Sequence, residues 1–256
     1  MAKPTIAFFG ATGGSTISCL APALEAGYRC TALARTPSKL HDALLQRGLA
    51  DSTIAANLSI TPGTATDLAA VKQALILDSR PVDLIVSGIG GKLIFKSPLH
   101  PTLDNPTICQ DAVGTILAAV RALEIADDAK RPQLIALSTT GISDVKRDLP
   151  IAMIPMYHWM LGVPHDDKKV MESLILEDAG RKQGTEKALG GYVIVRPSLL
   201  TGGEALGVEK IRVGVEKDPA VGYTISREDV GRWVFEVLVK GGKESGYVGE
   251  VVTLTY

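Results

Sequence analysis

The chain has 256 residues, of which 21% are charged, and a formal net charge of −1; this excludes the basic excess that proteins use to bind nucleic acid or anionic membranes. Hydrophobic residues make up 46% and aromatic residues only 5%, so we expect an aliphatic core of the kind formed by strands that helices cover on both faces. Three scattered cysteines show no metal-binding or disulfide spacing, no signal peptide or apolar run of membrane-spanning length is evident, and a cytoplasmic location is expected.

In chain order, the predicted elements alternate between strand and helix. Apolar runs bounded by turn residues predict strands over 5–9, 29–34, 58–62, 82–87, 133–137 and 192–195. Apolar residues at helical spacing predict helices over 16–26, 38–47, 67–77, 106–126 and 166–179. Because strands joined through helices form parallel sheets with right-handed crossovers, the pattern predicts a single α/β domain, a doubly wound parallel sheet of the Rossmann type.

Three segments lack strong periodicity, namely 88–105, 141–165 and 198–224. Each follows a predicted strand, so we expect all three at the carboxyl edge of the sheet, where ligands bind in this architecture. They are expected to form a small substrate-binding part of the single domain.

The segment 150–164 (PIAMIPMYHWMLGVP) is unusually apolar for a connection after a strand. Adaptable methionines and a tryptophan suit the wall of a pocket for a flat, hydrophobic small molecule. The alternative is a contact between the subunits of a homodimer, because exposed apolar patches of this size usually meet a partner.

The most informative motif lies between the first predicted strand and the first predicted helix, over residues 10–16 (GATGGST). Gly10 lets the chain turn tightly off the strand, and Gly13 removes a side chain where backbone amides would approach a pyrophosphate. The helix that follows directs its N-terminal amides and dipole at the phosphates. The motif predicts a dinucleotide site whose contacts come from Gly10, Thr12, Gly13, Gly14, Ser15 and Thr16, with Gly88 after the fourth predicted strand. An ordinary tight turn between strand and helix is the alternative.

One residue departs from the usual glycine pattern. The third glycine of that pattern falls at position 16, where this chain has Thr16. A threonine there would either crowd the phosphates or donate its hydroxyl to one of them, and Gly14 would restore part of the lost freedom.

The end of the second predicted strand indicates which dinucleotide is bound. An NAD site carries a carboxylate there to hold the ribose, whereas this chain has Arg35, followed by Thr36 and Lys39. A guanidinium pairs with a phosphate through two parallel hydrogen bonds, so these residues predict NADP(H), held through its 2′-phosphate. Solvated loop charges are the alternative. Asp67 is expected either to accept from the adenine amino group or to cap a helix.

Four motifs, spread over nearly the whole chain, occur in the same order as in a known family. They are residues 10–13 (GATG), Arg35, residues 195–197 (VRP) and residues 225–230 (ISREDV). The chain resembles an atypical short-chain dehydrogenase/reductase of the NmrA-like, NAD(P)H-binding branch. The resemblance implies an NAD(P)H-dependent oxidoreductase in which Pro197 lies beside the nicotinamide end, and in which 226–230 begins a structural helix. Residues 157–172 are also similar to members of fungal biosynthetic pathways, several of which act on polyketide or quinone-like intermediates.

The usual catalytic pair of that superfamily, Tyr and Lys four residues apart on one helix, is missing. Leu161 follows Tyr157 at that spacing. Lys168, which best matches the lysine of the branch, is preceded at that spacing by Pro164. We therefore consider three residues that could replace the pair as proton donors or cofactor ligands, namely Tyr157, His165 and Lys168. The Ser138 hydroxyl is expected beside them.

Each candidate catalytic residue also has a structural interpretation. Tyr157 would pack in an apolar loop, His165 would belong to a helix cap, and Lys168 would be solvated beside a second lysine. Three functions therefore stay open. The first is an NADPH-dependent reductase of a hydrophobic carbonyl or quinone-like compound. The second is a redox-neutral isomerase, dehydratase or cyclase on the same scaffold, and the third is an NADP(H) sensor without catalysis.

Overall fold

The computed structural model describes residues 3–97, 100–181 and 187–256. Its strands are β1 (Ile6–Phe9), β2 (Cys30–Ala34), β3 (Leu58–Pro62), β4 (Ile76–Leu77), β5 (Arg80–Pro81), β6 (Leu84–Ser87), β7 (Leu93–Ser97), β8 (His100–Leu103), β9 (Gln133–Leu137), β10 (Gly191–Pro197), β11 (Leu199–Thr201), β12 (Arg212–Val215), β13 (Thr224–Ser226) and β14 (Val251–Thr255). Its α-helices are α1 (Gly14–Glu25), α2 (Pro37–Gln46), α3 (Asp51–Asn57), α4 (Leu68–Ala74), α5 (Ile108–Arg121), α6 (Ile154–Met160), α7 (Gly162–Gly180) and α8 (Arg227–Trp233), and α8 continues into a π-helical stretch (Val234–Val239).

The central sheet of the described residues has eight strands in the order β12-β14-β10-β9-β6-β1-β2-β3. Every neighbouring pair is parallel except β12 and β14, which run antiparallel at one edge. Parallel strands need crossover connections, and the helices between them supply these. The predicted α/β Rossmann-type sheet in a single domain is therefore confirmed.

The sheet divides the core into two layers, and the side chains of β1 contribute to both. Ile6 and Phe8 pack into the layer formed with α1, α2, α3 and α8, whereas Ala7 and Phe9 pack into the layer formed with α4, α5 and α7. All four side chains are fully buried, because alternate residues of a strand point to opposite faces and helices cover both. The low aromatic content is accommodated because Val, Ile, Leu and Ala fill most of both layers.

Several predicted elements agree with the structure, and others were missed. The predicted strands 58–62 and 133–137 coincide with β3 and β9 at both ends. The motif 226–230 begins α8, and the Ser226 hydroxyl accepts a hydrogen bond from the Asp229 amide at 3.0 Å, as an N-cap does. The sequence analysis missed α3 and β14.

The predicted irregularity of 141–165 was wrong for its second half, because α6 and the beginning of α7 lie there. Its prolines mark helix starts rather than breaks: Pro155 is in the first turn of α6, and Pro164 is the third residue of α7. Proline is tolerated in the first turn because its missing amide would have no partner within the helix. Segment 88–105 contains the β7–β8 hairpin, of which residues 98 and 99 lie outside the described residues, and 198–224 contains β11 and β12.

The three segments begin after β6, β9 and β10, which are parallel neighbours in the sheet. They therefore start at one edge, the carboxyl edge, together with the turn after β1. None of the described helices has both the length and the hydropathy needed to cross a membrane.

Candidate active site

The turn after β1 brings two glycines into backbone contact. Gly10 has a φ of +73°, in the left-handed region, and a Cβ built on it would lie 2.8 Å from the carbonyl carbon and oxygen of Gly88. The Gly13 amide donates to the Gly10 carbonyl at 2.8 Å and closes the turn. Only glycine fits at position 10, for both conformational and steric reasons. Because Gly10, Gly13 and Gly88 have no side chains, the backbone of this turn is not covered at these three positions.

Helix α1 begins in this turn with unused backbone donors. Gly13 is its N-cap and supplies no side-chain cap. The first helical hydrogen bond runs from the Ile17 amide to the Gly13 carbonyl at 2.9 Å, so the amides before Ile17 lack partners within the helix. The Ser15 hydroxyl is buried and has no hydrogen-bond partner among the described residues, and Thr12 is exposed at the tip of the turn. Unused amides at a helix N-terminus suit a phosphate.

Thr16 lies beneath this surface and not on it. Its side chain is buried and points to the place where Gly88 lacks a Cβ. The expectation that it would crowd the phosphates or bond to one is therefore not what the structure shows, because Gly88 leaves room for it inside the fold.

The residues expected to choose between NAD(H) and NADP(H) lie together after β2. Arg35, Thr36 and Lys39 are all exposed, and no carboxylate ends this strand. Asp104 interacts electrostatically with Arg35. The pKa of Asp104 is lowered, chiefly by the hydrogen bond from the Lys92 amide and also by the Arg35 charge. Two exposed cations, Arg35 and Lys39, therefore lie at this corner of the sheet.

Asp67 has the helix-capping geometry that was one of its two interpretations. Its Oδ1 accepts from the amides of Ala69 at 2.9 Å and Ala70 at 3.2 Å, at the start of α4. Both bonds satisfy donors that the helix leaves unused. A contact with adenine remains a prediction.

Lys168 is held at the carboxyl edge of the sheet. From the second turn of α7, its Nζ donates to the carbonyls of Leu137 at 2.7 Å and Ile89 at 3.0 Å, and lies 3.7 Å from the Met171 sulfur. These carbonyls belong to the end of β9 and to the segment after β6. Its neighbour Lys169 is exposed and pairs with the exposed Asp144, at 3.3 Å. The structure thus separates the two lysines, and only the first lies beside the glycine turn.

Tyr157 and His165 pack against each other under the segment after β9. Their ring centroids are 5.5 Å apart, and both side chains are buried. Gly141, with a φ of +91°, lies between them, since a Cβ there would meet Tyr157 at 2.8 Å and His165 at 2.9 Å. Tyr157 is packed, as its structural interpretation expected, but the expected loop was wrong, because the residue belongs to α6. His165 lies inside α7 and does not cap it.

Burial changes the acid–base properties of this pair. It lowers the pKa of His165 to about 4, so the imidazole is neutral near pH 7, contrary to the expectation of a group that titrates there. The Nε2 atom of His165 has no partner among the described residues. Burial also raises the pKa of the Tyr157 phenol, with a smaller contribution from the Asp148 charge. Both shifts disfavour the charged forms.

Ser138 and Pro197 lie where β9 and β10 end side by side. The Ser138 amide donates to the Val195 carbonyl at 2.7 Å, and the Pro197 carbonyl accepts from the Thr140 amide at 3.1 Å. Ser138 is buried, and its hydroxyl has no partner among the described residues. Ser138 and Pro197 therefore lie next to Leu137, whose carbonyl accepts the hydrogen bond from Lys168.

Sequence reasoning missed a buried ionic cluster behind Lys168. Arg196 of β10 pairs through two nitrogens with Glu172 of α7 and donates to Glu216 at 2.9 Å. Asp148 lies 3.9 Å from the same guanidinium and accepts from the Gly141 amide at 2.8 Å. Burial raises the pKa of Asp148. The arginine in the VRP motif was the available signal, but nothing in the sequence identified its partners.

The apolar segment 150–164 has part of its surface in solvent. Trp159 is 50% exposed and Ile151 69% exposed. A cavity of about 220 Å³ lies beside it, lined by Gly141 and residues 143–149. The described residues contain no cluster of His, Cys, Asp or Glu suited to a metal ion.

A family model described as NAD(P)H-binding matches residues 10–240. The chain is 70% identical to the protein named Reductase pytE from Aspergillus terreus, over 99% of this chain and 98% of that protein. It is 42% identical to the protein named Oxidase pynE from Aspergillus niger, over 100% and 99% of the two chains.

Solved structures share the fold at low sequence identity. The anaerobillin reductase ChuY from Escherichia coli O157:H7 superposes with a TM-score of 0.66 at 20% identity, covering 98% of this chain and 96% of that one. The oxidoreductase ylbE from Lactococcus lactis superposes with a TM-score of 0.63 at 15% identity, covering 98% and 90%. At these identities the likeness concerns the fold alone.

Proposed function

The chain belongs to the NAD(P)H-binding family, and on that premise we propose that it is an NADPH-dependent reductase of a hydrophobic carbonyl, quinone-like or polyketide-type small molecule. It is an oxidoreductase, as its 70% identity to a protein named reductase indicates. The choice of NADPH over NADH, the class of substrate and the catalytic residues are the proposal.

The observation that carries the proposal is the contact between Gly10 and Gly88 at the start of α1. Any side chain at Gly10 would collide with Gly88. Among the residues that the structure describes, the first amides of the helix and the Ser15 hydroxyl have no hydrogen-bond partners. A diphosphate fits this surface, because it would accept from those donors and would need close approach to the backbone. Thr12, Gly13 and Gly14 complete the surface.

The preference for NADPH is supported by the charges after β2. Arg35 and Lys39 are exposed, with Thr36 between them, and the carboxylate that would hold a ribose 2′-hydroxyl is replaced by the arginine. A 2′-phosphate accepts two parallel hydrogen bonds from a guanidinium. An unmodified ribose offers no such partner, so NADH would bind more weakly.

Lys168 is the residue that we assign to the chemistry. Two of its three ammonium protons go to carbonyls, and among the described residues the third has only the weak thioether acceptor of Met171. A ribose hydroxyl or a substrate oxygen would be a better acceptor. Tyr157 and His165 are less suited, because burial raises the pKa of the phenol and so makes it a weaker acid, and burial keeps the imidazole in its neutral form near pH 7.

When bound, NADPH would supply the hydride for carbonyl reduction. The chain's own part is to place the substrate oxygen near Lys168, which would stabilise the developing alkoxide and provide its proton. The Ser138 hydroxyl, which is buried and has no hydrogen-bond partner in the described part of the chain, would donate to the same oxygen. Pro197 would border the nicotinamide end, beside the segment that follows β9.

The substrate class is supported by the segment 150–164. Half-buried methionines and the exposed Trp159 and Ile151 offer an apolar surface beside the cavity at residues 143–149. Flat, hydrophobic molecules bind to such surfaces. The same exposed residues would serve a homodimer, which the mass of the protein in solution, measured by light scattering, would reveal.

Oxidation of the substrate is the second candidate reaction. It is favoured by the relative that is 42% identical and is named an oxidase. The same residues would then act in reverse, with Lys168 binding the oxygen that loses its proton. Incubation of paired alcohol and carbonyl substrates with NADP⁺ or NADPH would show which direction this protein catalyses.

The first experiment is a fluorescence titration of the protein with NADPH and NADH, in the wild type and the Arg35→Ala variant. We expect NADPH to bind more tightly, and the variant to lose about tenfold to hundredfold in affinity for NADPH, since charge-assisted hydrogen bonds contribute about 1.5–3 kcal/mol. NADH affinity should change little. Consumption of NADPH with a panel of hydrophobic carbonyls and quinones then tests the reaction. Binding of neither dinucleotide would overturn the proposal.

A further inference from the structure

Arg227, the first residue of α8, lies across the first turn of α1. A Cβ built on Gly14 would be 2.8 Å from the Arg227 Cδ and 3.3 Å from its Cβ. The aliphatic part of the arginine therefore occupies the space that any other residue at position 14 would need. Gly14 is the first residue of α1, and its lack of a side chain leaves room for the arginine.

The charge of Arg227 is not balanced within the fold. The side chain is exposed, and it forms no ion pair with any residue that the structure describes. The carboxylate next to it, on Glu228, is already bonded to Ser18 at 2.6 Å, to Arg47 at 2.9 Å and to Arg232 at 3.0 Å. Neither the start of α8 nor that of α1 favours a cation, because both helix dipoles are positive there.

A buried hydroxyl lies in the same turn. Ser15 is 6% exposed and follows Gly14 directly, and its Oγ makes no hydrogen bond to the described residues. Four features therefore lie close together at the start of α1. They are the Arg227 guanidinium, Gly14, the first amides of the helix and the Ser15 hydroxyl. An anion would satisfy all of them.

We propose that Arg227 binds the diphosphate bridge of the dinucleotide, opposite the amides of α1. The assignment rests on the proposed function only in requiring that a dinucleotide binds at the glycine turn. It differs from the role of Arg35, which concerns the 2′-phosphate alone. Arg227 would therefore contribute equally to NADPH and NADH, since both contain the diphosphate, and would not choose between them.

The test is a titration of wild-type protein and three variants with NADPH, NADH and ADP. For Arg227→Ala we expect about a tenfold or greater loss of affinity for each of the three ligands, by the same factor. Arg227→Lys, which keeps the charge but not the two-pronged guanidinium, should lose less. Arg232→Ala is the control, since it removes an exposed arginine of the same helix that lies away from Gly14. Thermal unfolding of each variant checks that the fold is intact.

The outcomes separate this assignment from the proposed function. Unchanged affinity in Arg227→Ala, with normal binding by the wild type, overturns the assignment and leaves the proposed function intact. A loss confined to NADPH also overturns it, because the 2′-phosphate would then be the partner. A wild type that binds neither dinucleotide overturns both. Should Arg227→Ala unfold, Arg227→Gln gives the same readout, since it removes the charge and keeps part of the aliphatic chain that packs beside Gly14, and the same three losses are expected.

Discussion

Thr16 occupies the space that Gly88 leaves empty. A Cβ on Gly88 would lie 1.9 Å from the Thr16 hydroxyl oxygen and 3.1 Å from a Leu137 methyl group. The threonine is 1% exposed. The close approach between first helix and sheet that a glycine at position 16 usually permits is thus achieved by a glycine on the other side of the contact, after β6.

This contact predicts the effect of adding one methyl group. Gly88→Ala should lower the free energy of unfolding by about 1–3 kcal/mol, because overpacking a rigid site forces backbone shifts, and should weaken dinucleotide binding by moving the turn at Gly10. Gly90→Ala is the matched control, since nothing lies within 4 Å of a Cβ there. Urea unfolding and NADPH titration measure both effects. Equal stability of the two variants would contradict the packing argument.

The assignment of Lys168 predicts a contrast between two adjacent lysines. Lys168→Met should lower kcat by about 100- to 10,000-fold, the contribution typical of a positioned acid or base, whereas Lys169→Met should stay within about twofold, because it removes an exposed ion pair of little energetic weight. Steady-state kinetics with the best substrate measures this. A rise in KM for NADPH with kcat unchanged would show that Lys168 binds the cofactor and does not act on the substrate.

The fold could be predicted from the sequence because strand and helix patterns are local. Strand β9 was predicted at both ends, because its four consecutive apolar residues follow Gln133 and stop at Ser138, a local pattern typical of a short buried strand. Strand β14 was missed although it is rich in β-branched residues, because its place beside β10 depends on a chain segment far away in sequence. Short helix α3 was missed because Ile54 is its one buried residue.

The candidate site was predicted only where a motif is contiguous. The turn at residues 10–16 needs no long-range information. Lys168 was identified as a candidate, but its carbonyl partners Ile89 and Leu137 are 79 and 31 residues away. Asp148 and Glu216 contribute to the ionic cluster from separate loops, and no local spacing connects them with Arg196.

Burial of His165 predicts a pH dependence of stability. Its pKa is about 4 in the folded chain and about 6.5 when unfolded, so the unfolded state binds more protons between these values. Stability is therefore full above pH 6.5 and declines as the pH falls towards 4, by up to about 3 kcal/mol from this residue. His165→Gln should flatten the decline, and His158→Gln, an exposed position, should not. Urea unfolding from pH 4 to 7 measures it; identical slopes in wild type and His165→Gln would refute the assignment.

The pairing of Arg196 with Glu172 predicts a link between stability and catalysis. Glu172→Ala should lower the free energy of unfolding by about 3–5 kcal/mol, because it leaves a buried guanidinium without its main partner. Glu172 is one helical turn beyond Lys168 on the same face of α7, so a shift of this turn should also lower kcat. The control pair is Lys240 and Glu236 on the surface, where Glu236→Ala should cost no more than about 1 kcal/mol. The double variant Arg196→Met, Glu172→Leu removes this pair but leaves Asp148 and Glu216 without their cation, so we expect it to recover only part of the lost stability. If it recovers stability but not kcat, the ion pair positions Lys168; if it recovers both, the pair serves only to bind α7 to β10.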